Sequence, residues 1–172
     1  NACPACGPRL EWRPVGALED PGVTGESALA AAVRCIGGGG VVAVKGIGGF
    51  HLACDARSDA ALEVLRARKG RTHKPFALLV ADVRVARTIA HVNAGERRLL
   101  ESMERPILLL RRREDAPIAS LIAPGHDTIG VMLPYAPLHH LLAANGPLVM
   151  TSGNRSDEPI ARDNAEALSR LG

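Results

Sequence analysis

Apolar residues along this chain fall into short runs separated by polar, helix-period segments. Ala28, Leu29, Ala32, Val33 and Ile36 recur at helical spacing, and Gly37 to Gly40 must end that helix. A strand over 41–45 follows. Ser58 can cap a helix carrying Leu62, Val64 and Leu65, whose last turn is rich in Arg and Lys, as the helix dipole prefers. A strand is predicted over 75–80, and Asp82 can cap a short helix through Ile89. Asn93 with Glu96 makes a capping box for a helix carrying Leu99, Leu100 and Met103, after which Pro106 opens a strand over 107–110. The pattern continues with a strand over 128–133, a helix over 138–144 and a strand over 148–151. Asp163 with Glu166 makes a second capping box for a helix ending near Leu171. Strands separated by helices predict an α/β sheet flanked by helices.

At 172 residues and 47% hydrophobic content, one domain with a real core is expected. No apolar run approaches the ~20 residues that cross a bilayer, and no signal pattern opens the chain, so no membrane role and a cytoplasmic location are expected. The net charge of +3 is mild but clustered, in Arg66, Arg68, Lys69, Arg71 and Lys74 and again in Arg111, Arg112 and Arg113. Such clustering suits a local anionic ligand. Cys35 and Cys54 read as small core residues. Cys3-Pro4-Ala5-Cys6-Gly7 is the knuckle that gives two thiolates to a tetrahedral zinc, half of the four ligands needed. Residues 7–24, with Pro8, Pro14 and Pro21, read as a linker, and the opening Asn1 suggests a piece of a longer polypeptide.

Three polar clusters adjoin the apolar strands. Lys45-Gly46-Ile47-Gly48-Gly49-Phe50-His51 reads as a cationic, glycine-rich bend after the first strand, where backbone and lysine together could hold an anion. Taken alone, it is equally a turn with a solvated lysine, since short glycine signatures are common. Lys69-Gly70-Arg71-Thr72-His73-Lys74 combines arginine's planar fork with mobile lysine charges and reads as a polyphosphate clamp. Thr151-Ser152-Gly153-Asn154 offers hydroxyls, a flexible backbone and an amide. Ligands of open α/β sheets sit outside the carboxyl ends of strands, so if the strands bearing Lys45 and Ser152 are parallel neighbours, Gly48, Gly49, Ser152 and Asn154 converge on one crevice. No Ser/His/Asp set can be assembled from His51, His73, His139 and His140, and of the last two at least one should be structural. No carboxylate pair has metal-site spacing, so magnesium is expected to arrive with a nucleotide; Asp157 and Glu158 are at most outer contributors. Two Phe, one Tyr and one Trp are few platforms for single-stranded nucleic acid, whereas double-stranded RNA needs only shape and phosphate contacts.

Read together, Lys45 to Asp55, Arg66 to Arg71 with Lys74-Pro75, Val131 to Pro134 with Pro137-Leu138-His139, and Thr151 to Asn154 with Glu158-Pro159 resemble the YrdC-like domain family. More narrowly they resemble the version carried by HypF-type hydrogenase-maturation carbamoyltransferases, with Cys3 to Pro8 similar to the last Cys-x-x-Cys of the preceding zinc-finger region. That resemblance divides the chain into 1–24, the end of the zinc-finger region and a linker, and 25–172, a nucleotide-binding domain cut short at its C-terminus. It implies a twisted mixed sheet flanked by helices around a basic cavity that binds ATP with Mg²⁺, and Zn²⁺ binding only with further upstream cysteines. The implied reaction joins carbamate, derived from carbamoyl phosphate, to AMP with loss of pyrophosphate, and the carbamoyl group then passes to a HypE-type acceptor protein. In that scheme Lys69 and Arg71 hold the ATP phosphates, and Ser152 and Asn154 bind the phosphate or carbamoyl end. Thr151, Gly153 and Lys74 lie beside them, and Lys45, Gly48, Gly49, Phe50 and His51 wall the acceptor pocket. The alternatives are a threonylcarbamoyl-AMP synthase, from which the Gly-Gly-Phe-His-Leu run departs, and a double-stranded RNA-binding module.

Overall fold

A computed structural model describes residues 3, 5–15, 22–71, 73–155 and 158–171. In chain order its elements are β1 (Glu11–Trp12), β2 (Val23–Thr24), α1 (Gly25–Gly37), β3 (Val42–Lys45), β4 (Phe50–Asp55), α2 (Asp59–Lys69) and β5 (Ala77–Leu79). There follow α3 (Val83–Ile89), α4 (Ala94–Leu100), β6 (Leu108–Arg111), a 3-10 turn (Ser120–Ile122), β7 (Thr128–Met132), α5 (Pro137–Ala143), β8 (Leu148–Ser152) and α6 (Asn164–Leu171). Six strands form one sheet in the order β3-β4-β8-β5-β7-β6, with only β5 and β7 parallel. The expected mixed sheet flanked by helices is therefore present, with mostly antiparallel pairing.

Both sheet faces are covered. On one, Leu52, Leu78, Val131 and Val149 pack against Leu62 and Leu65 of α2 and Ala86 and Ile89 of α3. On the other, Val42, Val44, Ala53 and Met150 meet Ile36 of α1 and Leu142 of α5. The helix boundaries follow local chemistry. Ser58 accepts the Ala61 N–H, Asp82 accepts that of Val85, and Asn93 with Glu96 completes a reciprocal capping box. At the other end of α2, Gly70 takes a left-handed conformation at φ 59°, which lets the backbone leave the helix sharply.

Four expectations need correction. Residues 50 and 51 belong to a strand, and the bend is confined to 46–49, closed by Gly46 N–H donating to the Gly49 carbonyl at 2.8 Å. Because β4 is covered on both faces, it lacks the polar alternation that marks a strand in sequence. Consequently β3 and β8 are not neighbours: β4 lies between them, antiparallel to each. The stretch read as a linker instead contains β1 and β2, which pair antiparallel, and Trp12 packs against the α1 side of the core. The helix expected to carry Met103 ends at Leu100, leaving Leu99 53% and Met103 97% exposed.

Arg66, in the last turn of α2, secures this framework. It is 8% exposed, and its guanidinium donates to the carbonyls of Leu121 (3.0 Å from Nε), Ile122 (3.4 Å) and Arg71 (3.0 Å) while lying 4.7 Å over the Phe76 ring. One side chain thus joins α2, the 3-10 turn and the segment entering β5. Arg66→Met is expected to lower stability by about 2–4 kcal/mol, because buried carbonyls lose charged donors. Val64→Ala, on the exposed side of the same helix, should change it by about 0.5 kcal/mol or less. Urea denaturation of both variants checks the contrast.

Candidate functional site

The site grows from the end of β8. Directly after Ser152, the Gly153 N–H donates to the Phe50 carbonyl at 2.7 Å, and a Cβ at Gly153 would lie only 2.7 Å from that same oxygen. Only glycine fits there. The chain then turns tightly, with Ser152 Oγ donating to Asn154 Oδ1 (2.7 Å), Asn154 Nδ2 donating to the Glu158 carbonyl (2.6 Å) and Ala161 N–H donating to the Gly153 carbonyl (2.9 Å). Glu158 also pairs with Arg170 of α6 at 2.8 Å. The hydroxyl and amide of the Ser152-Gly153-Asn154 turn are therefore held in fixed positions.

Lys69 enters this turn from the C-terminal end of α2. Only 3% exposed, it donates from Nζ to the Ser152 carbonyl (2.6 Å), the Asn154 carbonyl (2.8 Å) and Asn154 Oδ1 (3.0 Å). Burial, and then the charges of Arg71 and Lys74, push its pKa down to about 8. Arg71 stacks 4.9 Å over Phe76, donates to the Pro75 carbonyl at 2.7 Å and reaches Thr151 Oγ1 at 3.4 Å. Its Nε is buried and makes no hydrogen bond. Burial and the neighbouring Arg66 lower the Arg71 pKa as well. Cations crowded together and recessed from water are relieved by an anion, so the chemistry of the cluster suits a phosphate or a carboxylate.

The structure thus brings Lys69, Arg71, Thr151, Ser152, Gly153 and Asn154 together. His51 lies opposite Ser152 in the β4–β8 ladder, and Phe50 opposite Lys45 in the β3–β4 ladder, so the bend reaches the same end of the strands. Phe50 itself is core, packed with Ala161 and Ala167. Exposed Lys45 donates to Asn164 Oδ1 at 3.1 Å and lies 5.4 Å from the Phe50 ring centroid, at the rim. Gly49 needs its glycine, at φ +144° with a Cβ position 2.3 Å from Ile160, whereas Gly48 faces open space. Lys74 is exposed and acts on Lys69 through its charge. Asp157 and Thr72 lie outside the described residues.

Cys3 and Cys6 are exposed, with Gly7 N–H donating to the Cys3 carbonyl at 2.7 Å in a tight knuckle. Backbone donors, Cys6 N–H first, hold the Cys3 thiol below its usual pKa, which suits a thiolate ligand. Among the described residues no three metal-ligating side chains cluster. An open cleft of about 500 Å³ lies elsewhere, among Arg87, His91, Asn93, Arg111 and Arg113. Sequence reasoning missed the roles of Arg66, Phe76 and Asn164. Arg66 differs from its neighbours only by its turn on the helix, and that spacing from Leu62 was the available signal.

The chain is a mixed α/β domain whose strand end gathers a recessed lysine, an arginine and a Ser-Gly-Asn turn. Residues 34–172 match the Sua5/YciO/YrdC family model, described as telomere recombination, and the chain belongs to that family. It is 47% identical to carbamoyltransferase HypF of Rhodobacter capsulatus over 172 residues, covering 99% of this chain and 22% of that protein. It is 34% identical to threonylcarbamoyl-AMP synthase of Nitrosococcus oceani, covering 82% of this chain and 78% of that protein. The crystal structure of full-length HypF in its phosphate- and nucleotide-bound form superposes with a TM-score of 0.85 at 43% identity, over 99% of this chain and 22% of that one. P. abyssi Sua5 complexed with L-threonine shares the fold, with a TM-score of 0.74 at 20% identity over 86% of this chain and 45% of that one. The chain therefore spans about a fifth of the length of its HypF relatives, 22% in the first comparison.

The depressed Lys69 pKa gives a pH signature. Its folded value, about 8, lies below the ordinary 10.5, so the cost of holding the ammonium is fully present below pH 8 and relieved as pH rises toward 10.5. The stability of wild type relative to Lys69→Met should accordingly shift in favour of wild type between pH 8 and about 10. Urea midpoints of the two proteins across that range test it; a pH-independent difference would contradict the assignment.

Proposed function

We propose that this domain forms carbamoyl-adenylate from ATP and carbamate within a HypF-type carbamoyltransferase. The observation that carries the reading is the recessed Lys69–Arg71 pair meeting the Ser152-Gly153-Asn154 turn, in a chain aligned to HypF over 99% of its length. Carbamate comes from carbamoyl phosphate, and the carbamoyl group passes later to a HypE-type acceptor protein. No helix among the described residues is long and apolar enough to cross a membrane.

In the chemical step one carbamate oxygen attacks the α-phosphorus of ATP, the bond from that phosphorus to the bridging oxygen breaks, and pyrophosphate leaves with the electron pair. The mixed anhydride H₂N–CO–O–AMP remains, with no net proton transfer. Two anions must approach one another, so charge neutralisation and positioning are the protein's main contributions. Lys69 and Arg71 neutralise the phosphates, Arg71 with a buried Nε still lacking a partner. Thr151, Ser152 and Asn154 orient the phosphate or acyl end, and Lys45 and Lys74 add charge at the rim. Magnesium suits the phosphates of the nucleotide, since no cluster of three carboxylate, His or Cys ligands occurs among the described residues to hold it. The 34% identity to a threonylcarbamoyl-AMP synthase favours a second reading, in which threonylcarbamate replaces carbamate in the same step.

Carbamoyl-phosphate-dependent exchange of labelled pyrophosphate into ATP, measured on a full-length protein carrying this sequence, decides between them. Exchange should require carbamoyl phosphate and fall by about 10²-fold or more in Arg71→Ala, the loss typical of one transition-state donor. Exchange supported only by threonine with bicarbonate would transfer the assignment to threonylcarbamoyl-AMP formation. Exchange under neither condition would remove adenylation altogether.

A further inference from the structure

Strand β6 ends the six-stranded sheet, paired with β7 on one side. A strand edge presents a row of unpaired backbone groups, and natural sheets blunt such edges with charge, proline or cover. The opposite edge, β3, follows that rule with the exposed Lys45. Edge β6 does not. Its run Ile107-Leu108-Leu109-Leu110 is apolar throughout, Leu109 is 76% and Ile107 55% exposed, and the exposed Leu99 and Met103 come shortly before it in the chain. Leu109 stands opposite Gly130 of β7, and a Cβ at Gly130 would meet Ile107 Cγ2 at 3.2 Å, so both exposed side chains lie on one face of the edge.

The direction of the backbone groups agrees. His91 N–H donates to the Arg111 carbonyl and Arg113 N–H to the Ile89 carbonyl, both at 2.9 Å, so beyond Leu110 the outward-pointing groups are taken by the segment leaving α3. Inward and outward groups alternate along an antiparallel strand, which leaves the N–H and C=O of Ile107 and Leu109 pointing away from β7. Ahead of them Arg105, left-handed at φ 45°, and Pro106 turn the chain aside. The open stretch is therefore short and bounded at both ends. Past its C-terminal end lies the cleft of about 500 Å³ lined by Arg87, Arg111 and Arg113. Of these three, only Arg113 has a carboxylate partner among the described residues, Asp115 at 3.0 Å. The acid in the lining, Glu96, commits its carboxylate to the Asn93 N–H at 2.8 Å. Positive charge in the cleft is thus left largely uncompensated.

We propose that β6 is a dimer edge whose occupant is the β6 strand of a second copy of the same polypeptide, paired antiparallel about a two-fold axis through Leu108. Residues with outward backbone groups then meet: Ile107 faces the partner's Leu109, and Leu109 the partner's Ile107. Each such pair exchanges two backbone hydrogen bonds and buries two exposed apolar side chains against one another. A two-fold contact must be self-complementary, and charge supplies a second instance of that. Antiparallel pairing runs the segment entering β6 in one copy beside the end of β6 in the other, which brings Glu104 to the mouth of the partner's arginine cleft. Glu101 is paired with Arg97, whereas the exposed Glu104 forms no ion pair among the described residues. One chain therefore carries the apolar edge, the cationic cleft and the acid that fits it, in the order that a two-fold pair requires. A nucleic acid or a small anion in the cleft would use the arginines but leave Ile107 and Leu109 in water.

The test is sedimentation equilibrium of a full-length protein carrying this sequence, with hydrogen exchange of the Ile107 and Leu109 amides followed over the same concentrations. Wild type should dimerise with a dissociation constant on the order of 10 µM, as for a small interface, and both amides should become protected as dimer forms. Leu109→Lys, a charge placed on the edge at an exposed position, should weaken dimerisation by about 100-fold or more and leave the melting temperature of the monomer within about 2 °C. Glu104→Arg and Arg111→Glu should each weaken it by about tenfold, added salt should weaken wild type, and the double variant should dimerise more tightly than either single one. A monomer whose two amides are protected at every concentration would mean that another part of the same polypeptide covers the edge. A monomer with both amides unprotected would mean that the edge takes no second copy. Either result overturns the proposal, as does a dimer that Leu109→Lys leaves intact, and a double variant no tighter than the single ones overturns the contact between Glu104 and the cleft. None of these outcomes depends on the adenylation reaction.

Discussion

The Lys69 ammonium is the point on which the site is organised. Helix α2 ends one residue later, at the left-handed Gly70, so the lysine sits where the helix dipole favours a cation. Its hydrogen bonds to the Ser152 and Asn154 carbonyls and to Asn154 Oδ1 tie the end of α2 to the end of β8. From there the linkage spreads, through Gly153 to Phe50, through Asn154 to Glu158, and through the Glu158–Arg170 pair to α6. Removing an ammonium from water costs roughly several kcal/mol, and the three oxygens offset only part of that beside two further cations. The lowered pKa records the imbalance. Arg66 supplies the complementary anchor, holding the other side of the α2 turn to the carbonyls of residues 121 and 122. Local strain in charge is thereby carried by a rigid frame.

Elements governed by local chemistry were legible in the sequence. The caps at Ser58, Asp82 and Asn93 and the left-handed exit at Gly70 depend on residues within three or four positions of one another, and they formed as the spacing indicates. Strand β4 was not legible as a strand, because a strand buried on both faces shows no alternation, and glycines just ahead of it suggested a longer bend. The intervening position of β4 explains why the site was still recognisable. Two antiparallel steps, β3 to β4 and β4 to β8, bring Lys45 and Ser152 to the same end of the strands without making them neighbours. Side-chain burial was the other gap. Arg66, Lys69 and Arg71 are alike as charges in a basic run, yet Arg66 is spent on carbonyls while Arg71 keeps a buried Nε without a partner. Only the turn of the helix and the packing of Phe76 separate those roles.

The proposed adenylation joins two anions, so the placing of the Lys69 and Arg71 charges bears on its rate. A phosphate chain needs full positive charge, which the Lys69 side provides. A carbamate nucleophile placed among more cations would be held more firmly in its ground state and would attack less readily, because charge neutralised before the transition state gives no differential stabilisation.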